Sequence, residues 1–223
     1  MLGVTVILYV LNQKHMLPRN IGSVVSRVLF WPTFPLTVGG RIGNWITEID
    51  DVVVLGGAPI GFCNIPERLY QDYGVTSIVN LCEEYRGPIH KYKKLGMSQL
   101  WLKTTDHFEP SFEDLKKAVE FLQENELDGK RVYIHCRAGH GRSSAVVMAW
   151  LIHKNPFVDL KVLNDELLKL RRVRTYLWTQ PNIIKFQDWV RSTVHVDEKE
   201  ENESVATTVS LSTDDYSDNG HDL

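Results

Sequence analysis

Acid is missing from the first 47 residues of this chain. Lys14, Arg19, Arg27 and Arg41 stand there with no Asp or Glu ahead of Glu48. The opposite end reverses this, with nine acids and one lysine over residues 196–223. The two ends carry +4 and −8, so a net charge of −3 leaves the middle at +1. No global basic field exists to attract nucleic acid, and no nucleic-acid partner is expected. Cysteine is scarce as well: Cys63, Cys82 and Cys136 form an odd set without CxxC spacing. That argues against a disulfide framework and a structural zinc site, and for a reducing compartment. Long hydrophobic runs are lacking too. LGVTVILYVL at 2–11 is the longest, about half of the ~20 residues a membrane span needs.

What remains has the composition of a soluble domain with tails, at 43% hydrophobic and 24% charged residues over 223 positions. Residues 1–40 are apolar, basic and interrupted by Pro18, Pro32 and Pro35. This is the composition of a mitochondrial presequence, so a targeting or membrane-associated segment is expected there. The alternative is a strand or helix that packs on the domain. Residues 41–193 form the expected domain. Residues 194–223 have too few large apolar groups to offset the entropy of ordering, and are expected to be an acidic disordered tail.

Between the ends, two periodicities alternate. VVVLGG at 52–57, SIVNLC at 77–82, SQLWLKT at 98–104 and RVYIHC at 131–136 read as strands. IPERLYQDYG at 65–74 reads as a short helix stopped by Gly74. In SFEDLKKAVEFLQEN at 111–125, Phe112, Leu115, Val119 and Leu122 share one helical face, and Ser111 can cap it with Asp114. SSAVVMAWLIHK at 143–154 is an apolar helix, with further helices near 159–172 and 182–192. The pattern predicts a three-layer α/β fold: a mostly parallel central sheet flanked by helices, with ligands at the carboxyl ends of the strands.

One such end carries VYIHCRAGHGRSS at 132–144. Cys136 follows a strand, and the loop Arg137, Ala138, Gly139, His140, Gly141 leads into a helix starting near Arg142. Successive backbone N–H groups in such a loop make an anion nest, reinforced by the positive end of the helix dipole. Gly139 and Gly141 allow positive φ and close approach. Arg142 offers a planar fork to two phosphate oxygens. The same field lowers the pKa of the Cys136 thiol and makes it a thiolate aimed at the bound dianion. Ser143 can donate to that sulfur and help it leave. His135 is expected to orient the loop by hydrogen bonds.

This stretch resembles the Cys-x5-Arg signature of the protein tyrosine phosphatase superfamily, in its compact dual-specificity branch. The resemblance covers about 45–193 and implies a phosphocysteine mechanism with no metal and no cofactor. Cys136 would attack phosphorus, Arg142 would hold the transferring group, and a carboxylic acid would protonate the leaving oxygen. In similar phosphatases that acid precedes the signature strand, which points to Asp106 in TTDHFEPS, with Glu109 as its rival. Asp106→Asn is then expected to cut turnover and leave phosphate binding intact.

A second stretch, NLCEEYRGP at 80–88, places Glu83, Glu84 and Tyr85 after a strand. It looks like the EEY element of the mitochondrial phosphatidylglycerophosphate phosphatases. That resemblance implies dephosphorylation of a phospholipid phosphate monoester to phosphatidylglycerol, on the route to cardiolipin, at an anionic inner-membrane surface. The alternatives are a dual-specificity protein phosphatase acting on phosphoproteins, cytoplasmic in place, and a phosphate-binding pseudophosphatase. His140 departs from the family, standing where an arginine is common. Arg171, Arg172 and Arg174 in RRVRTYLW compensate by contacting anionic lipid, or else complement a helix end.

Overall fold

The computed structural model describes residues 16–40 and 43–194, with Ile7, Val10 and Leu11 ahead of them. The rest of the apolar run at 2–11 and the acidic tail from 195 lie outside the described residues.

Alternate residues of the central strands face opposite sides, and both sides are covered. The strands are β1 (Ile46–Glu48), β2 (Val53–Gly56), β3 (Val75–Cys82), β4 (Ser98–Thr104) and β5 (Arg131–His135). They lie in the order β1-β2-β5-β3-β4, parallel except for β1. Val54, Ile78 and Tyr133 point to one face, against Leu69 of helix α2 (Ile65–Tyr73) and Tyr92 of α3 (Ile89–Leu95). Their neighbours Leu55, Val79 and Ile134 point to the other. There they meet α4 (Phe112–Leu127), α5 (Arg142–Lys154), α6 (Leu160–Leu170) and a final helix α7 over 181–194. The result is the predicted three-layer α/β fold. Ser111 caps α4, its hydroxyl accepting from the Asp114 N–H at 3.1 Å.

Two elements escaped the sequence reading because each is too short to repeat its period clearly. β1 has three residues, and α3 has seven, entered behind Pro88.

The larger departure precedes the sheet. Helix α1 (Arg19–Gly39) runs through Pro32 and Pro35, which read as breaks in the sequence. Hydroxyl donors sit beside the gaps these prolines leave: Thr33 bonds to Leu29 O at 2.6 Å and Thr37 to Thr33 O at 3.4 Å. Docking supplies the rest. Phe30 stacks on Tyr85 with centroids 5.1 Å apart, and Phe34 meets Trp45 edge-on at 5.8 Å. Phe30, Phe34, Ala58 and Ile60 form a small buried cluster. The outer face exposes Ile21, Val24, Val28, Trp31 and Leu36. Asn20–Gly39 is long and apolar enough to cross a membrane, at a mean hydropathy of 1.2. A search for unbroken apolar runs misses it because Ser23, Ser26, Arg27, Thr33 and Thr37 interrupt the segment.

Candidate active site

The loop between β5 and α5 is shaped from outside. Ala58 N–H donates to Arg137 O at 3.1 Å, and Arg174 N–H donates to His140 O at 2.9 Å. Arg171 donates from Nε to Gly139 O at 3.0 Å and from Nη2 to Ala138 O at 3.3 Å. All four carbonyls are therefore drawn away from the pocket. In a trans peptide the C=O and the next N–H point oppositely, so the N–H groups of Ala138, Gly139, His140 and Gly141 turn inward. The anion nest thus depends on Arg171, a residue 1% exposed and pinned in turn to Asn44 O at 2.8 Å and the Thr47 hydroxyl at 2.9 Å. Its burial corrects the lipid-contact assignment. Arg172 is exposed, and Arg174 lines the pocket instead.

Gly139 has φ +64°, and a Cβ there would lie 2.6 Å from the carbonyl carbon and oxygen of Gly56. No other residue type fits. Gly141 differs from expectation: its φ is −119°, so it needs no left-handed freedom. It provides closeness instead, since a Cβ would stand 3.3 Å from Arg174 Nη2.

Cys136 lies at the floor of a cavity of about 200 Å³, which Asp106, Arg137, Ala138, His140, Gly141 and Arg142 help to line. Burial alone would push its thiol up. The Arg142 charge, the Ser143 hydroxyl and the Ser143 and His140 N–H groups overturn that and hold the pKa below its ordinary value. Ser143 Oγ donates to Cys136 Sγ at 3.2 Å. Cys82 shows what burial does without these donors: its thiol is pushed well up, with Glu84 adding to the effect. His135 is buried and held neutral, its pKa driven down to about 3 by burial. Its Nδ1 lies 3.3 Å from Cys136 O, in a bracing position.

Arg142 faces two carboxylates. Glu84 grips its end-on edge, Oε2 to Nη1 at 2.8 Å and Oε1 to Nη2 at 2.6 Å. Thr104 O accepts from Nη1 at 2.9 Å, and Asp106 Oδ1 pairs with Nη2 at 2.8 Å. A guanidinium has five N–H donors. Hydrogen bonds to Glu84 and Thr104 use three of them and the Asp106 contact is an ion pair, so Nε–H and the second Nη2 hydrogen are left for a ligand. Burial would raise the Asp106 carboxyl, but Arg142, then His107 and Arg137, hold it below the usual carboxylate range. Glu109 shows the opposite shift, raised by burial, and does not line the cavity.

The Glu83–Tyr85 element divides its work. Glu84 holds Arg142. Glu83 turns outward and accepts from Ser23 at 3.0 Å and Arg27 at 2.6 Å, both on α1, and from Thr105 at 2.9 Å. Tyr85 stacks on Phe30 and donates to Pro59 O at 3.2 Å. The turn itself is set by Asn80, which donates to Tyr85 O at 2.8 Å and accepts from Cys82 N–H at 2.8 Å. Arg137 closes the α1 side, bonding to the Thr33 hydroxyl and lying 5.4 Å over the Phe30 ring. Sequence reasoning named Arg171 but missed its bracing of the loop, and it missed the role of Asn80 and the α1 residues that reach this site, which no local motif announces.

A thiolate aimed into a ring of amides, with a guanidinium fork and a carboxyl opposite, is equipped for phosphoryl transfer to sulfur. The class is that of cysteine-dependent phosphatases. The chain belongs to the dual-specificity phosphatase family, whose catalytic domain matches residues 63–184. Within that family it is similar to phosphatidylglycerophosphatase and protein-tyrosine phosphatase 1 of Mus musculus. The two are 36% identical over 170 residues, spanning 71% of this chain and 85% of the mouse protein. The fold is similar to the crystal structure of PTPMT1, with a TM-score of 0.60 at 28% identity over 68% of this chain and 99% of the other. It is also similar to PTPMT1 in complex with PI(5)P, with a TM-score of 0.59 at 26% identity over 67% and 99%.

Proposed function

We propose that this chain removes the terminal phosphate of phosphatidylglycerophosphate, leaving phosphatidylglycerol on the route to cardiolipin, at the mitochondrial inner membrane. One observation carries the lipid reading. Thr37 of α1 lines the same cavity as Cys136, and the outer face of α1 exposes Ile21, Val24, Val28, Trp31 and Leu36. An apolar, acid-free helix at the mouth of a phosphate pocket suits a headgroup presented from a bilayer. The names of the relatives and the presequence-like composition of residues 1–40 support the same reading.

In this reading the Cys136 thiolate attacks phosphorus, and the bond from phosphorus to the glycerol oxygen breaks. Asp106, which takes up the proton that a monoanionic substrate brings, gives it to that oxygen. Arg142 and the amides of residues 138–141 hold the three equatorial oxygens as charge shifts among them. Water then attacks the phosphocysteine while Asp106 takes its proton. Sulfur departs as a thiolate stabilised by Ser143. Glu84 keeps the Arg142 fork in plane.

The test is a comparison of kcat/KM on phosphatidylglycerophosphate, a phosphotyrosine peptide and a phosphothreonine peptide. We expect the lipid to be preferred by well over tenfold. A preference below about tenfold, some 1.4 kcal/mol of discrimination, turns the reading to a phosphoprotein phosphatase. Phosphate binding without hydrolysis of any of them marks an interaction module.

A further inference from the structure

The phosphate loop carries His140 where a cation was expected. Its imidazole is tied back, with Nδ1 3.3 Å from Arg172 O. A cation nevertheless stands at this wall. Arg174 lines the cavity that contains Cys136, Asp106 and Arg142. Its backbone is anchored by the bond from its N–H to His140 O. Its guanidinium packs against Gly141, with Nη2, Cζ and Nε at 3.3, 3.5 and 3.7 Å from where a Cβ would be, so any side chain there would crowd it. Among the described residues no hydrogen bond or ion pair to this guanidinium is formed. The acid that feels its charge is Glu109, which burial raises and Arg174 lowers. Three arginines line the cavity, with different roles. Arg137 is turned to Thr33 and Phe30 of α1. Arg142 is held by Glu84 and Asp106 at the floor, and Arg174 waits at the rim.

We propose that Arg174 is a specificity-determining residue, a rim subsite for a second anionic group on the substrate. It rests on the lipid reading above, in which a phosphodiester lies one glycerol away from the scissile monoester. With the monoester in the amide ring, the diester oxygens reach the rim. A guanidinium there forms charge-assisted hydrogen bonds to them. The amide ring is blind to what lies beyond the first phosphorus, so selection for a doubly anionic headgroup falls to Arg174. The same interaction exists in the ground and transition states, so it acts through KM more than kcat.

The test uses the full chain and two non-hydrolysable probes, pentane-1,5-bisphosphonate, which has the P–O–C–C–C–O–P spacing of the headgroup, and methylphosphonate, as competitive inhibitors of p-nitrophenyl phosphate hydrolysis. Arg174→Gln should raise the inhibition constant of the bisphosphonate about tenfold or more. It should leave that of methylphosphonate within about twofold, which also certifies a folded site. Arg174→Lys should restore part of the loss, because it returns the charge without the fork. Equal weakening of both probes means that Arg174 only supports the loop, and overturns the proposal. So does an unchanged bisphosphonate constant. These outcomes do not depend on the natural substrate. If the wild-type chain shows no lipid preference while the bisphosphonate effect persists, the lipid reading falls and the rim subsite stands. A lipid preference that survives Arg174→Gln with no bisphosphonate effect does the reverse.

Discussion

Asp106→Asn tests the active-site geometry most sharply, because two opposite effects should come from one atom change. In the unliganded site Asp106 Oδ1 holds Arg142 Nη2 at 2.8 Å, while Glu84 and Thr104 O occupy the other edge. A phosphate that docks bidentately on the side edge takes Nε–H and the second Nη2 hydrogen, beside which the Asp106 carboxylate sits. Binding therefore breaks an ion pair and leaves a carboxylate beside a dianion. A charge-assisted hydrogen bond contributes about 1.5–3 kcal/mol. Removing the competing charge should then tighten inorganic phosphate or vanadate binding roughly 10–100-fold. This differs from the sequence expectation of unchanged binding, because the sequence does not show the carboxylate sitting on Arg142. Turnover should move the other way, falling ~10²–10⁴-fold with loss of the general acid.

Leaving groups separate the causes. Alkyl phosphates, which need a proton, should lose far more activity than p-nitrophenyl phosphate. The pH profile has a sign as well. Asp106 is ionised in the free enzyme, since Arg142, His107, Arg137 and the His107 N–H together overcome the effect of burial. The productive complex needs one proton, which a monoanionic substrate can bring, so kcat/KM should decline as pH rises above the phosphate pKa of ~6. Phosphate affinity that is unchanged or weaker in Asp106→Asn would refute the competition. Equal losses on alkyl and p-nitrophenyl substrates would refute the acid role.

Alkylation of Cys136 by iodoacetamide should stay fast well below the ordinary thiol pKa of ~8.5 and fall only as pH drops through its depressed value. Ser143→Ala removes one of the donors that lower it, so the midpoint should move up; a midpoint that stays put shows the hydroxyl to be idle. Arg171→Met leaves the Ala138 and Gly139 carbonyls without their donor. We expect a lower melting temperature, at about 1–3 kcal/mol per orphaned carbonyl, with phosphate binding lost alongside turnover. Arg171→Lys should not repair it, since one ammonium cannot replace the fork. Phe30→Ala truncates a side chain 1% exposed and opens its contact with Tyr85, at about 3–5 kcal/mol. Hydrogen exchange over Arg19–Gly39 should then rise while the sheet stays protected; unaltered protection there would mean that other contacts hold α1.

Several features were legible from local order alone. Strands alternating with helices gave the mostly parallel sheet, because the helix that links two parallel strands must pack on a face of that sheet. The place of Cys136 after β5, with five residues between it and Arg142, followed from the same strand-to-helix grammar. Ser111 announced the start of α4, because a cap bonds within one turn. What was hidden involves partners far apart in the chain. Arg171 and Asn44 are 127 positions apart, and Arg142 and Glu84 are 58. Read along the chain, RRVRTYLW is one basic cluster. Folded, it becomes a buried brace, an exposed charge and a rim cation, since helix α6 ends against the back of the phosphate loop. Two prolines forecast a break in α1, yet aromatic packing on Tyr85 and Trp45 holds it as one helix beside the active site. Local sequence sets which groups each element can offer, because backbone geometry is short-ranged. Only chain closure decides which of those groups meet, because burial and charge act through space.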